Sequence, residues 1–176
     1  MNAACAVALA LLFAASAAVS ADGVVVATQE HRVRLVTVAK GLEHPWSLAF
    51  LPDGRMLVTE RPGRLRVLSR DGAVDAAPVA GLPRVDAIGQ GGLLDVAVHP
   101  GGRWIYWTYV QRDGGYGTEL ARGRLEGGPG AWRMADAQVL FRMAPKSGGG
   151  LHFGSRIVFA KDGRVFVTLG ERGDMD

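Results

Sequence analysis

The sequence predicts an all-β chain built as the opening blades of a β-propeller, and three observations lead there. Three segments repeat one pattern: WSLAFLPDGRMLVTE at 46–60, LLDVAVHPGGRWIYWTY at 93–109 and SRIVFAKDGRVFVTLGE at 155–171. Each is an apolar strand, a turn ending in Gly-Arg and a second strand rich in β-branched or aromatic residues, which is an antiparallel hairpin signature. The turn glycines Gly54, Gly102 and Gly163 recur at intervals of 48 and 61 residues, and periods of that order belong to propeller blades. After the first 21 residues no convincing helical pattern follows.

The chain opens differently. Residues 1–21 carry no Asp, Glu, Lys or Arg, and the Ala-rich run ends in Val19-Ser20-Ala21. A short apolar stretch closed by small residues is the pattern of a secretory signal peptide. Cleavage after Ala21 is expected, leaving a propeller segment over 22–176 in the periplasm or outside the cell. The start lacks the usual Lys or Arg, so an uncleaved anchor is the alternative. Against it, an Ala-rich run is weakly apolar and barely long enough to span a bilayer, so no stable membrane insertion is expected after cleavage. Cys5, the single cysteine, lies inside this leader. The mature chain is therefore expected to have no disulfide and no thiolate ligand, and any metal must bind through oxygen or imidazole.

With 48% hydrophobic and 21% charged residues among 176, the chain has the composition of a globular core, not of a disordered tail. The net charge is +3, but Arg55, Arg61, Arg64, Arg66, Arg103, Arg122 and Arg124 are scattered among apolar residues. Solvated strand faces need no more than that, whereas a nucleic-acid surface would need clustering and stacking aromatics. No nucleic-acid partner is expected.

Between the hairpins, RLRVL at 64–68 and ELARGRL at 119–125 predict further strands that extend each unit toward four. The connections at 71–92, 111–117 and 126–150 contain Gly, the first and last also Pro, and are expected to be loops. This amounts to about two and a half blades, and a propeller closes with four to eight. The chain thus reads as the truncated N-terminal part of a propeller, expected to be unstable and inactive alone because open strand edges remain.

One stretch carries chemistry. Residues 145–156, PKSGGGLHFGSR, place His152 beside four glycines just ahead of a strand. Superposing the turns aligns Leu151-His152 with Gln90-Gly91 and Glu43-His44, at the strand end nearest a propeller's channel. If the turn around Lys161–Gly163 closes with two to four loop residues, His152 faces a position between 171 and 173, where Glu171 stands. A carboxylate there can accept a ring N–H and leave the other nitrogen as a proton acceptor; an ordinary cross-strand charge pair explains the spacing equally well. His44 is expected to shape the first blade's entrance. His99 sits in a turn at the far strand end and His31 in the entry segment. Trp104 and Trp107 have opposite parity, so at least one is expected in blade packing. Asp174 and Asp176 are oxygen donors in a segment too short to read as an ion loop.

The phrases GLEHPWSLAFLPDGRMLVTERPGRL (41–65), GQGGLLDVAVHP (89–100) and LHFGSRIVFAKDGRVFVTLGERGD (151–174) resemble the soluble, pyrroloquinoline-quinone-dependent aldose sugar dehydrogenases of the glucose/sorbosone dehydrogenase family. The resemblance runs from about Lys40 to the last residue. It implies a six-bladed propeller that holds the quinone (PQQ) and Ca²⁺ over its channel and oxidises aldoses at C1 to lactones. By that resemblance His152 stands where the catalytic base does, Glu171 where its supporting acid does, and Gln90 where a quinone-contacting glutamine does. The Arg and Lys clamps for the quinone's carboxylates, and most Ca²⁺ ligands, are expected beyond residue 176; no metal ligand is assigned within this chain. The expected partner is a sugar, with an electron acceptor that the sequence does not identify. Two other classes remain open: a Ca²⁺-dependent propeller hydrolase or lactonase, and a non-catalytic glycan- or protein-binding propeller.

Overall fold

The computed structural model describes residues 23–173. The leader expected at 1–21 with Cys5, the expected mature start at Asp22, and Asp174 and Asp176 lie outside the described residues. The chain divides into two units, Met1–Thr37 and Val38–Asp176. In the first, β1 (Val24–Ala27) pairs antiparallel with β2 (Arg32–Leu35). The turn between them closes through Thr28, whose hydroxyl and amide both donate to the His31 carbonyl at 2.8 Å. This hairpin was not anticipated from the sequence, and it accounts for His31 as a turn residue.

The second unit consists of three consecutive antiparallel sheets, and the all-β expectation holds throughout the described residues. β3 (Pro45–Phe50), β4 (Met56–Glu60) and β5 (Arg64–Leu68) form the first sheet. β6 (Leu93–Val98), β7 (Ile105–Arg112), β8 (Tyr116–Glu126) and β9 (Arg133–Arg142) form the second. β10 (Gly154–Phe159) and β11 (Val165–Leu169) form the third. All three repeated segments are hairpins, closed by the same turn: the amides of Gly54, Gly102 and Gly163 donate to the carbonyls of Leu51, His99 and Ala160. These glycines have φ of +85°, +71° and +86°, a conformation that costs glycine nothing.

Two loop expectations are corrected. Residues 126–150 contain β9, and β7 and β8 run through most of 111–117, leaving only Asp113–Gly115 as their turn. β9 is an edge strand, mostly exposed, with two register shifts against β8 and a left-handed Asp136 at φ 50°. A strand that pairs on one side and faces solvent needs no apolar alternation, so RMADAQVLFR does not announce itself.

The middle sheet is covered on both faces, and β7 shows how. Ile105, Trp107 and Tyr109 pack with Leu57, Leu65, Val67 and Val96 against the first sheet. Tyr106, on the opposite parity, packs with Leu120 and Ile157 against the third. A strand buried on both faces reads as a continuous apolar run, as IYWTYV does. Trp107 is the expected packing tryptophan; Trp104, of opposite parity, lies under the Arg122 guanidinium at 4.4 Å.

Threonines fix the spacing between sheets. Each hairpin carries a bulge early in its first strand. The amide freed there, on Ser47, Asp95 or Arg156, donates at 3.0 Å to the hydroxyl of Thr59, Thr108 or Thr168 on the second strand. Thr59 in turn donates to the Leu94 carbonyl (2.6 Å) and Thr108 to that of Ser155 (3.0 Å), each in the next sheet. Asp95, buried, completes the lock: it accepts from Ser47 Oγ, Arg156 Nη1 and the Ile157 amide, so one carboxylate touches all three sheets. These bonds hold the first strands β3, β6 and β10 side by side, and so hold together the chain ends that precede them.

Candidate active site

The β10–β11 ladder places the site. Its outermost bonded pair is Gly154 opposite Leu169; two residues further out on each strand come His152 and Glu171. The Glu171 carboxylate Oε1 meets the His152 ring at Nδ1 in a short hydrogen bond. Both side chains are about half exposed, at 49% and 46%, so the pair is open to a ligand. The bond from His152, above all, holds the Glu171 carboxyl below the usual carboxylate range. Glu171 is therefore charged near neutral pH and can only accept. In a neutral ring Nδ1 then carries the proton and Nε2 keeps its lone pair.

Gln90 joins them from the second sheet's entrance. Its Oε1 accepts the His152 amide at 3.0 Å, and its own amide donates to the Gly150 carbonyl at 2.8 Å. The three residues predicted for the site are thus brought together, although they span 82 positions from Gln90 to Glu171 counted inclusively. With its oxygen committed, Gln90 has its side-chain NH₂ left as a donor.

Glycines on neighbouring segments let backbones touch around His152. A Cβ on Gly89 would stand 2.3 Å from the Gly150 carbonyl oxygen, and one on Gly170 would stand 1.8 Å from that of His152. A Cβ on Gly148 would meet nothing within 4 Å, so of Gly148, Gly149 and Gly150 it alone borders open space.

The sequence did not reveal two arginines that build the site. Arg61 donates through Nη1 to the carbonyls of Gly89 and, at 3.4 Å, Gly91, bracing the Gln90 loop. Arg172, only 3% exposed, donates through Nε to the Leu151 carbonyl at 2.8 Å, through Nη1 to that of Tyr116 at 2.7 Å, and through Nη2 to that of Gly149. Its guanidinium lies 3.6 Å from the centre of the Phe153 ring. Next to a catalytic-looking Glu, an Arg at a strand end reads as surface charge; only the folded backbone shows the carbonyls converging on it.

The backbone is unusual at the same place. His152, Ser155 and Arg172 have φ of +48°, +106° and +69°, a region that costs non-glycine residues about 1–3 kcal/mol each. Such conformations persist only where surrounding contacts impose them.

The other histidines lie elsewhere. At the first blade's entrance, Glu43 donates its amide to Glu60 Oε1 at 2.6 Å and binds Arg64 with its carboxylate, while the His44 carbonyl accepts the Arg61 amide. The Gly92 carbonyl accepts the Val110 amide in the same way, so His44 matches Gly92, one residue later than the superposed turns suggested. His99 stacks on Tyr106 and meets Phe159 edge-on at 5.2 Å. An apolar cleft of about 280 Å³ lined by Val38, Leu42, Trp46, Leu48 and Met56 contains none of the site residues. Among the described residues no three His, Cys, Asp or Glu side chains gather as a metal-ligand set, and no helix is long and apolar enough to cross a membrane.

The family described as Glucose / Sorbosone dehydrogenase matches residues 42–176. An uncharacterized protein of Synechocystis, slr1608, is 38% identical over 162 residues, covering 85% of this chain and 38% of that protein. The aldose sugar dehydrogenase YliI of Escherichia coli is 43% identical over 136 residues, covering 74% of this chain and 36% of that enzyme. Among solved structures, the PQQ-bound aldose sugar dehydrogenase of Streptomyces coelicolor superposes with a TM-score of 0.68 at 29% identity, over 88% of this chain and 44% of that one. The chain therefore spans about two fifths of the length of these relatives.

Proposed function

The chain belongs to the glucose/sorbosone dehydrogenase family, and from that premise we propose that it forms the base-bearing part of a quinone-dependent aldose dehydrogenase. The observation that supports this most is the His152–Glu171 pair, with Gln90 bound to the same backbone.

Oxidising an aldose at C1 removes two hydrogens: the hydroxyl loses a proton and the carbon loses a hydride, leaving the lactone. His152 Nε2 takes the hydroxyl proton. Glu171, already charged, stabilises the imidazolium that results and keeps the ring in the required tautomer. As the proton leaves, the oxygen lone pair forms the C1 carbonyl and drives the hydride out. PQQ, when bound, accepts that hydride. The Gln90 NH₂, oriented by its own bonded oxygen, is a donor suited to one edge of such a ring. Arg172 directs Nε, Nη1 and Nη2 to backbone carbonyls, so it does not supply a cationic clamp for the quinone's carboxylates. We assign those clamps, and the oxygen ligands of a Ca²⁺ ion, to other parts of the full-length protein. Export to the periplasm or the medium belongs to the same reading, as does a sugar substrate with an external electron acceptor.

Reconstituting the full-length protein with PQQ and Ca²⁺ and following dye reduction with aldoses tests the proposal. Quinone-dependent dye reduction with lactone as product is expected. Lactone hydrolysis without dye reduction would replace this reading with the hydrolase.

A further inference from the structure

We propose that Arg172 is a positioning residue for the base, holding one side of the Leu151–His152 peptide group while Gln90 holds the other. The carbonyl of that peptide accepts from Arg172 Nε at 2.8 Å, and its N–H donates to Gln90 Oε1 at 3.0 Å. A peptide plane fixed at both ends cannot rotate, and its orientation determines the φ of His152. That φ is +48°, a conformation His rarely holds unaided. Releasing either bond lets the residue relax toward ordinary backbone and swings the imidazole away from its place.

Arg172 suits the task for reasons of charge and geometry. Its guanidinium is planar and reaches three carbonyls at once, those of Leu151, Tyr116 and Gly149. The Tyr116 carbonyl belongs to β8, so the arginine ties the mobile-looking glycine run to a strand of the second sheet. The Phe153 ring covers one guanidinium face. Burial pushes the Arg172 guanidinium below its ordinary value, yet an arginine stays protonated in proteins. Its neighbour Glu171 holds the ring of His152, while Arg172 holds the backbone just before it. Two adjacent residues thus grip one histidine at separate points. At the other end of the glycine run, Lys146 binds the buried Glu119 at 2.8 Å, so the run is fixed at its start independently of Arg172.

The inference rests on His152 being the base, and the test separates the two ideas. In full-length protein without cofactor, labelled with ¹⁵N-histidine and ¹⁵N-arginine, the Arg172 Nε–H should exchange with solvent at least 100-fold more slowly than an exposed arginine. The His152 ring should show one tautomer protonated at Nδ1. Arg172→Lys, which keeps the charge but cannot reach three carbonyls, should lose that single ring signature. In the loaded enzyme it should lower kcat by roughly 10- to 100-fold, the usual worth of an outer partner, with KM for the sugar changed less than threefold. Added guanidinium should recover part of the rate of Arg172→Ala. A rapidly exchanging Nε–H in the unmodified protein overturns the proposal even if both variants fail to fold. So does an Arg172→Lys protein with the ring signature and kcat intact. If instead His152→Ala leaves kcat unchanged while the Arg172 proton is protected and the ring signature depends on it, the base assignment fails and the clamp stands.

Discussion

His152 and Glu171 lie opposite each other two residues beyond the last bonded pair of the β10–β11 ladder, and their side chains meet at Nδ1 and Oε1. The pairing extends the hairpin register past the end of its backbone bonds. The turn centred on Gly163 and the one-residue register shift between Gly154 and Ile157 together set the alignment of these two side chains, 19 residues apart.

Removing the charge from this pair should cost less than removing the base. Glu171→Gln keeps a hydrogen-bond acceptor for Nδ1–H but gives the imidazolium no counter-charge. The expected result is a kcat loss smaller than that of His152→Ala and an acidic limb of the pH–rate profile moved to lower pH. An unshifted profile would remove Glu171 from the proton chemistry.

The pair also links stability to pH. Because the folded-state pKa of Glu171 is depressed, its contribution is fully present above the ordinary value of 4.5 and disappears as pH falls through the lower folded value. Carboxyl titration by ¹³C NMR should find Glu171 still charged where free glutamates are protonated. A midpoint at or above 4.5 would contradict the short bond to His152.

Gly170 should tolerate no side chain. Its Cβ would stand 1.8 Å from the His152 carbonyl oxygen, so Gly170→Ala must displace the segment carrying the base. A displacement of about 1 Å costs roughly 10²-fold in rate. Gly128→Ala, whose Cβ would meet nothing within 4 Å, is the control and should leave kcat unchanged.

The sheets should depend on Asp95. Asp95→Ala leaves the buried Ile157 amide without its acceptor and frees Ser47 and Arg156 from the inter-sheet lock. A loss of about 1–3 kcal/mol is expected from the unsatisfied amide, read as a lower Tm of the full-length protein. An unchanged Tm would show that the threonine bonds hold the sheets unaided.

Much of this arrangement was legible in the sequence, because hairpins announce themselves through local rules. Gly-Arg turns between alternating apolar strands placed three sheets, and counting outward from one turn put His152 across from a position between 171 and 173; the bulge between Gly154 and Ile157, which no local rule announces, selects Glu171. What escaped notice depends on tertiary neighbours. Beyond its bridge to Ala80 at Arg133, β9 pairs on one side only and is mostly exposed, so its residues carry little pattern. Arg172 acquires its role from carbonyls of Tyr116, Gly149 and Leu151, which only the fold brings together. The match of His44 to Gly92 shifted by one residue because the turns were aligned instead of the strand entrances.

The most direct test of the central claim is His152→Ala in the full-length, PQQ-loaded protein, with kcat and quinone affinity measured side by side. The account predicts a fall in kcat of roughly 10²- to 10⁴-fold, the worth of a positioned general base, with quinone affinity nearly unchanged. A near-normal kcat, or a loss fully restored by excess quinone, would contradict it and make His152 a residue that packs or seats the cofactor.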